Sequence, residues 1–286
     1  GFNGEVMGTW TLENSPYVIT GDITLPEDES LTIEPSVEVR FFGPYTFYVN
    51  GEFSAIGTEQ DSIYFINHGT PEFSIDRWKG FYLNNVNRDF TLSYASVKTT
   101  SNYNIFFRNI RESSILIANT HLDECQDNNL YIDNVYDYDN PINFTETIFS
   151  NSYKAATLQA YYQSENDNRM SFTGCIFRNA GYQGAQIGGS TSAVFDNCSF
   201  ENNGFSGLGI NSSAFHDIIY VHNSNFIDNS SYAVYAGGSA NTGKEIDMRF
   251  NYWGESATAQ MNLGDNPKNI SVIYDFWDNN EQGPQV

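Results

Sequence analysis

With 286 residues, 40% of them apolar and 17% charged, the chain is long enough for one large domain or two ordinary ones. Its 35 Asp and Glu against 13 Lys and Arg give a net charge of −22, which excludes nucleic acid and anionic lipid surfaces as partners. Aromatic residues at 16% exclude a disordered chain. The lack of amphipathic Lys, Glu, Leu and Ala runs excludes a helical one.

The three cysteines, Cys125, Cys175 and Cys198, cannot build a disulfide framework, and no Cys/His metal spacing accompanies them. No apolar run is long enough for a membrane span, so membrane insertion is not expected. No charged-then-apolar leader precedes Gly1-Phe2-Asn3-Gly4, and the ends are abrupt, which suggests a mature chain or an excised module. Five sequons fall within the number an Asn-rich chain carries by chance.

In chain order, residues 1–66 read as short alternating strands: Tyr17–Ile19, Ile23–Leu25, Leu31–Ile33, Val37–Phe41, Phe47–Val49, Phe53–Ala55 and Ile63–Ile66. Turns rich in Pro, Gly, Asp and Glu separate them. This first segment also has to cap the open end of whatever the strands build. Residues 67–254 carry an internal repeat. Residues 255–286 lose it and are expected to form the opposite cap, with a short helix or loop. No linker interrupts the series, so all three stretches form one domain.

The repeat is plainest in Ser171-FTGCIFRNAGYQGAQIGG, Val194-FDNCSFENNGFSGLGINSS and Ile219-YVHNSNFIDNSSYAVYAGG. Anchored on the aromatic, it runs Val97, Leu122, Phe149, Phe177, Phe200, Phe226 and Trp253, at spacings of 25, 27, 28, 23, 26 and 27. A period in the twenties with several short strands per unit suits one turn of a parallel β-helix. The leucine-rich signature of the competing repeat is absent. The expected fold is therefore all-β: a right-handed single-stranded parallel β-helix of about ten coils with capped ends. Two residues before each anchor, Ala95, Thr120, Thr147, Cys175, Cys198, Ser224 and Asn251 should stack as small buried residues, with the thiols filling core. Two residues after, Asn151, Asn179, Asn202 and Asp228 suit tight bends.

The opening ENSPYVITGDITLPEDESLTIEPSVEVRF, the later VNGEFSAIGTEQDSIYF, Arg77-Trp78-Lys79-Gly80, Asn251-Tyr252-Trp253-Gly254 and Ile273-Tyr274-Asp275 resemble secreted bacterial right-handed β-helix proteins of the pectate-lyase-like superfamily. The resemblance covers nearly the whole chain. It implies the fold and an extracellular setting, secreted or on the cell surface, within a larger protein. It does not fix an activity, because that superfamily holds lyases, hydrolases, binding modules and adhesin segments.

A lyase would need a base and a means of neutralising a uronate carboxylate. The cations here (Arg108, Arg111, Lys154, Arg178) are few and scattered. A hydrolase would need converging acids, and Asp196, Asp217, Asp228 and Asp247 stand at different offsets from their anchors. The four histidines form no evident constellation. The densest acidic stretch offers Asp123, Glu124, Asp127 and Asp133, with Asp137 and Asp139, as oxygen ligands for calcium. An outward aromatic column, Tyr153, Tyr182, Phe205 and Tyr232, stands beside small residues and suits stacking on sugar rings, with Tyr131, Tyr136, Tyr161 and Tyr162 as extensions. The leading expectation is a non-catalytic extracellular module that binds polysaccharide, with or without calcium. A polysaccharide lyase or glycoside hydrolase is the alternative, and a structural stalk or adhesin segment the second.

Overall fold

Period-two alternation broken every few residues by Asn, Gly or Ser yields strands too short to stand alone, so they must stack on copies of themselves. The computed structural model, which describes residues 1–69, 76–136, 140–160, 170–189, 191–210, 219–236, 245–253, 261–262 and 271–273, has that arrangement. Each coil lays down three strands, as in Ala193–Asp196, Ser199–Glu201 and Ser206–Ile210. Each strand then pairs in parallel with its counterpart one coil on. The result is a three-sided parallel β-helix.

The first face is a sheet of eleven strands. The second and third faces fuse into one sheet of nineteen through the nine-residue strand Tyr17–Leu25, whose first half pairs with Glu38–Phe41 and whose second half pairs with Thr46–Val49. Leu12–Asn14 forms a 3-10 turn, and among the described residues no helix is long and apolar enough to cross a membrane.

The corners explain the Asn-rich spacing. Between first and second faces, Asn119, Glu146, Gly174, Asn197 and Asn223 have φ of 48°, 47°, 66°, 54° and 51°. Between second and third, Asn151, Asn179, Asn202 and Asp228 have φ of 51°, 53°, 51° and 51°. The left-handed region costs most residues energy, whereas Asn and Asp tolerate it by bonding locally. The bends expected at these positions are therefore present.

The anchors are register partners, from Val97↔Leu122 through Phe149↔Phe177 to Phe200↔Phe226. Phe149, Phe177, Phe200, Phe226 and Trp253 stack inside with centroids 4.8–5.0 Å apart and planes within 10°. That is the spacing of adjacent strands, about 4.8 Å, so the ladder of rings follows from the ladder of backbones. Register extends it upstream through Phe65, Val39 and Tyr17. On the first face, Phe144, Phe172 and Phe195 form a second interior stack.

The small-residue column is buried as expected, with Cys175 and Cys198 as free thiols beside backbone carbonyls. Burial, reinforced by the neighbouring Cys175, raises the Cys198 thiol. Cys125 occupies a different buried column, and burial pushes its thiol up to about 12. At the N-terminal end, Phe2 lies over Trp10 and Tyr17, which stack at 4.5 Å. At the other end, Met261–Asn262 and Ser271–Ile273 continue the third and first faces. The remainder of 255–286 lies outside the described residues.

Candidate functional site

On the third face, inward positions are aliphatic or phenylalanine, and the intervening outward position repeats once per coil. Register aligns Tyr48, Tyr82, Phe106 and Tyr131, followed by Thr157 and Gln186. Tyr82 stacks on Phe106 at 5.1 Å, Phe106 meets Tyr131 at 5.4 Å, and Tyr48 meets Tyr82 edge-on at 5.7 Å. Tyr103 leans on both Phe106 and Tyr131. Burial, with Asp127 and Tyr131 alongside, pushes its hydroxyl up to about 12. The four aligned rings form an aromatic run on the outward side of the third face, half-buried at Tyr48, Tyr82 and Tyr131 and buried at Phe106 between its neighbours.

Beside this run lies a hollow of about 420 Å³ lined by Asn84, Asn85, Arg108, Asn109, Asp133 and Asn134. The corner residues Asn85, Asn109 and Asn134 pass an amide hydrogen bond from coil to coil: Asn109 Nδ2 donates to Asn85 Oδ1 at 3.1 Å and Asn134 Nδ2 to Asn109 Oδ1 at 3.3 Å. Arg108 Nε lies 3.0 Å from Asp133 Oδ2, and the Tyr82 hydroxyl and Asp133 together raise the guanidinium's pKa. Donors and acceptors on planar groups thus adjoin aromatic rings.

The expected column of Tyr153, Tyr182 and Phe205 is present at the leading edge of the same face. Its rings lie 5.7 and 4.9 Å apart, with planes within 9°. Two details differ from expectation. Tyr232 pairs in register with Ser206, one position past Phe205, and meets that ring at 85°. The parallel rings also spend their faces on one another, so Tyr153, at the end of the run and 51% exposed, is the most open of them. Lys154 reaches along this edge, donating to Gln186 Oε1 at 2.6 Å with its ammonium 5.8 Å from the Tyr153 and Tyr182 rings. Burial lowers its pKa against the opposing pull of Asp127. Tyr136 packs under Arg111 instead, and Tyr161 and Tyr162 lie outside the described residues.

The four carboxylates expected around calcium do not gather. Asp123 points out of the second face, where it accepts from Ser150 and Asn151. Glu124 is a corner residue bonded by Thr99. Asp127 accepts from Asn128, and Asp133 pairs with Arg108 on the third face. Sequence density fails to become spatial density because neighbouring residues leave on different faces. Asp137 and Asp139 lie outside the described residues, among which no group of three metal-binding side chains occurs.

The acids weighed for hydrolysis also stand apart. Asp196 accepts from Asn223, Asp228 is a corner, Asp247 is held by Arg249, and Asp217 is outside the described residues. His121 Nε2 lies 2.7 Å from Ser150 Oγ and 3.7 Å from Asp123, and His222 Nε2 lies 3.2 Å from Asp247.

A family model described as a right-handed beta helix region matches residues 162–245. This agrees with the hand that parallel crossovers almost always take. The chain is a right-handed parallel β-helix. No curated protein and no solved structure matches it.

Proposed function

We propose that this β-helix is a non-catalytic module that binds neutral polysaccharide along its third face, as part of a secreted or cell-surface protein. The observation that carries the reading is the outward run Tyr48–Tyr82–Phe106–Tyr131 beside the Asn-lined hollow with its Arg108–Asp133 pair. Sugars offer apolar C–H patches and a ring of hydroxyls. Aromatic edges and faces take the first, and planar amide, guanidinium and carboxylate groups take the second. One residue per coil at strand spacing repeats the contact along an extended chain, which favours a polymer over a small molecule.

The net charge of −22 favours a neutral glycan over a polyuronate, which would be repelled. Tyr153, Tyr182, Phe205 and Tyr232 would lengthen the same surface. Retardation in native gels cast with neutral polysaccharides, run beside gels cast with polyuronates, tests the reading, with a parallel assay for unsaturated products. Retardation by a neutral glycan without product formation is expected. Release of unsaturated ends would replace the binding role with a lyase.

A further inference from the structure

At the leading edge of the third face, two opposite charges stand together without pairing. Asp127 immediately precedes the strand Asn128–Val135, and its backbone carbonyl accepts from the amides of Tyr153 and Lys154, one coil on. Register sets Lys154 beside Asn128, and Asn128 beside Tyr103. Asp127 and Lys154 are thus half-buried neighbours between the two groups of outward rings. Tyr103 feels the charge of Asp127, and the rings of Tyr153 and Tyr182 each lie 5.8 Å from the ammonium.

Each charge is held by a different partner. Thr157 Oγ1 donates to Asn128 Oδ1 at 2.6 Å, and Asn128 Nδ2 donates to Asp127 Oδ1 at 2.8 Å, so the strand fixes one carboxylate oxygen. Lys154 Nζ donates to Gln186 Oε1 at 2.6 Å. The ion pairs among the described residues do not include Lys154 with Asp127. An ammonium has three protons to donate and a carboxylate has two oxygens to accept with, so both groups keep capacity for a ligand.

Burial governs both groups. It raises the Asp127 carboxyl against the pull of Lys154 and lowers the Lys154 ammonium against the pull of Asp127. Each has lost more to desolvation than the other returns. A ligand that hydrogen-bonds to both charges would make up the difference, because bonds to ionised groups are the strong ones.

The pair also selects. A carboxylate drawn to Lys154 would meet Asp127, and an ammonium drawn to Asp127 would meet Lys154. A hydroxyl donates and accepts at once, so neighbouring hydroxyls can donate to Asp127 and accept from Lys154 without bringing in charge. We propose that Asp127 and Lys154 form a specificity-determining subsite that holds the hydroxyls of a neutral sugar and joins the run Tyr48–Tyr131 to the column Tyr153–Tyr182–Phe205. This rests on the reading of the third face as a glycan surface and extends that surface across the leading edge.

The test is affinity electrophoresis of the intact chain through gels holding galactomannan, mixed-linkage β-glucan or dextran, with mobility taken against a glycan-free gel. Lys154→Gln, Asp127→Asn, Tyr131→Ala and the exposed controls Arg88→Gln and Asp28→Asn are run beside the parent, each with a thermal unfolding curve. Lys154→Gln and Asp127→Asn should each weaken retardation about fivefold or more, with both controls matching the parent. Their unfolding midpoints should stay level or rise, because each substitution removes a half-buried charge kept for binding. Retardation kept in both variants but lost in Tyr131→Ala overturns the subsite and leaves the glycan face standing. Lost retardation with lowered midpoints in both variants assigns the pair to structure and overturns it too. A parent retarded by none of the three gels overturns the subsite together with the reading it rests on.

Discussion

Replacing Phe177 by alanine asks whether the interior and exterior aromatic columns do different work. Phe177 is fully buried and lies between Phe149 at 4.8 Å and Phe200 at 5.0 Å, with near-parallel planes on both sides. Truncation of a buried phenylalanine costs about 3–5 kcal/mol. The two stacks, worth about 0.5–1.5 kcal/mol each within that figure, place Phe177→Ala at its upper end. Phe205 has one parallel stack, with Tyr182 at 4.9 Å, and sits half-buried on the outside. Phe205→Ala should therefore cost about 1–2 kcal/mol, burying less and leaving no sealed cavity. Denaturant unfolding gives the difference. Hydrogen exchange read by mass spectrometry should place the loss in the coils flanking residue 177, because repeats in a solenoid contact only their neighbours. Equal costs for the two substitutions would refute the assignment of one ladder to the core and the other to the surface.

Further outcomes follow from the same geometry. Asn202 has φ of 51°, so Asn202→Ala should lose about 1 kcal/mol while Asn202→Gly stays near neutral, measured by thermal unfolding. All three thiols are buried and unpaired, so a thiol reagent should label none in the native protein and three after denaturation. Asp123 is held below its ordinary range, so its contribution is present above the unfolded carboxyl value and is lost as pH falls through the folded one. Asp123→Asn should lower stability near neutrality and flatten the acid limb of a stability-against-pH curve. A curve parallel to the parent's would contradict the network.

The fold was readable because one coil's needs recur at nearly fixed spacing. Buried apolar anchors and the small buried residues before them return every 23–28 residues from Val97 to Trp253, and Asn or Asp corners do so from Asn151 to Asp228. The upstream anchors Phe65, Val39 and Tyr17 were hidden, since 32 residues separate Phe65 from Val97, outside the 23–28 spacing. Tyr232 slipped by one because the turns Asn203-Gly204-Phe205 and Asn229-Ser230-Ser231 have the same length, yet the ring closes the first turn and follows the second. Of the run Tyr48–Tyr131 only Tyr131 stood out in the sequence, because outward and inward aromatics alternate within Phe47-Tyr48, Phe81-Tyr82 and Phe106-Phe107. There, ring type does not tell which side faces water. Its signal was the repeated ending in Asn at Tyr82-Leu83-Asn84-Asn85, Phe106-Phe107-Arg108-Asn109 and Tyr131-Ile132-Asp133-Asn134. The His121 network was illegible for a different reason. Lys98, Asp123 and Ser150 become neighbours only through register, at separations of 25 and 27 residues.

In the proposed function, the third face binds glycan through its aromatic run and the Arg108–Asp133 pair. Calorimetric titration with the neutral polysaccharide that retards the protein most tests it directly, comparing the parent with Tyr131→Ala, Arg108→Ala and Phe42→Ala. Phe42 is 60% exposed but lies off this face. Tyr131→Ala and Arg108→Ala should each bind about tenfold more weakly, roughly 1.4 kcal/mol, with Phe42→Ala unchanged. Undiminished affinity in both third-face variants, or an equal loss in all three, would contradict it.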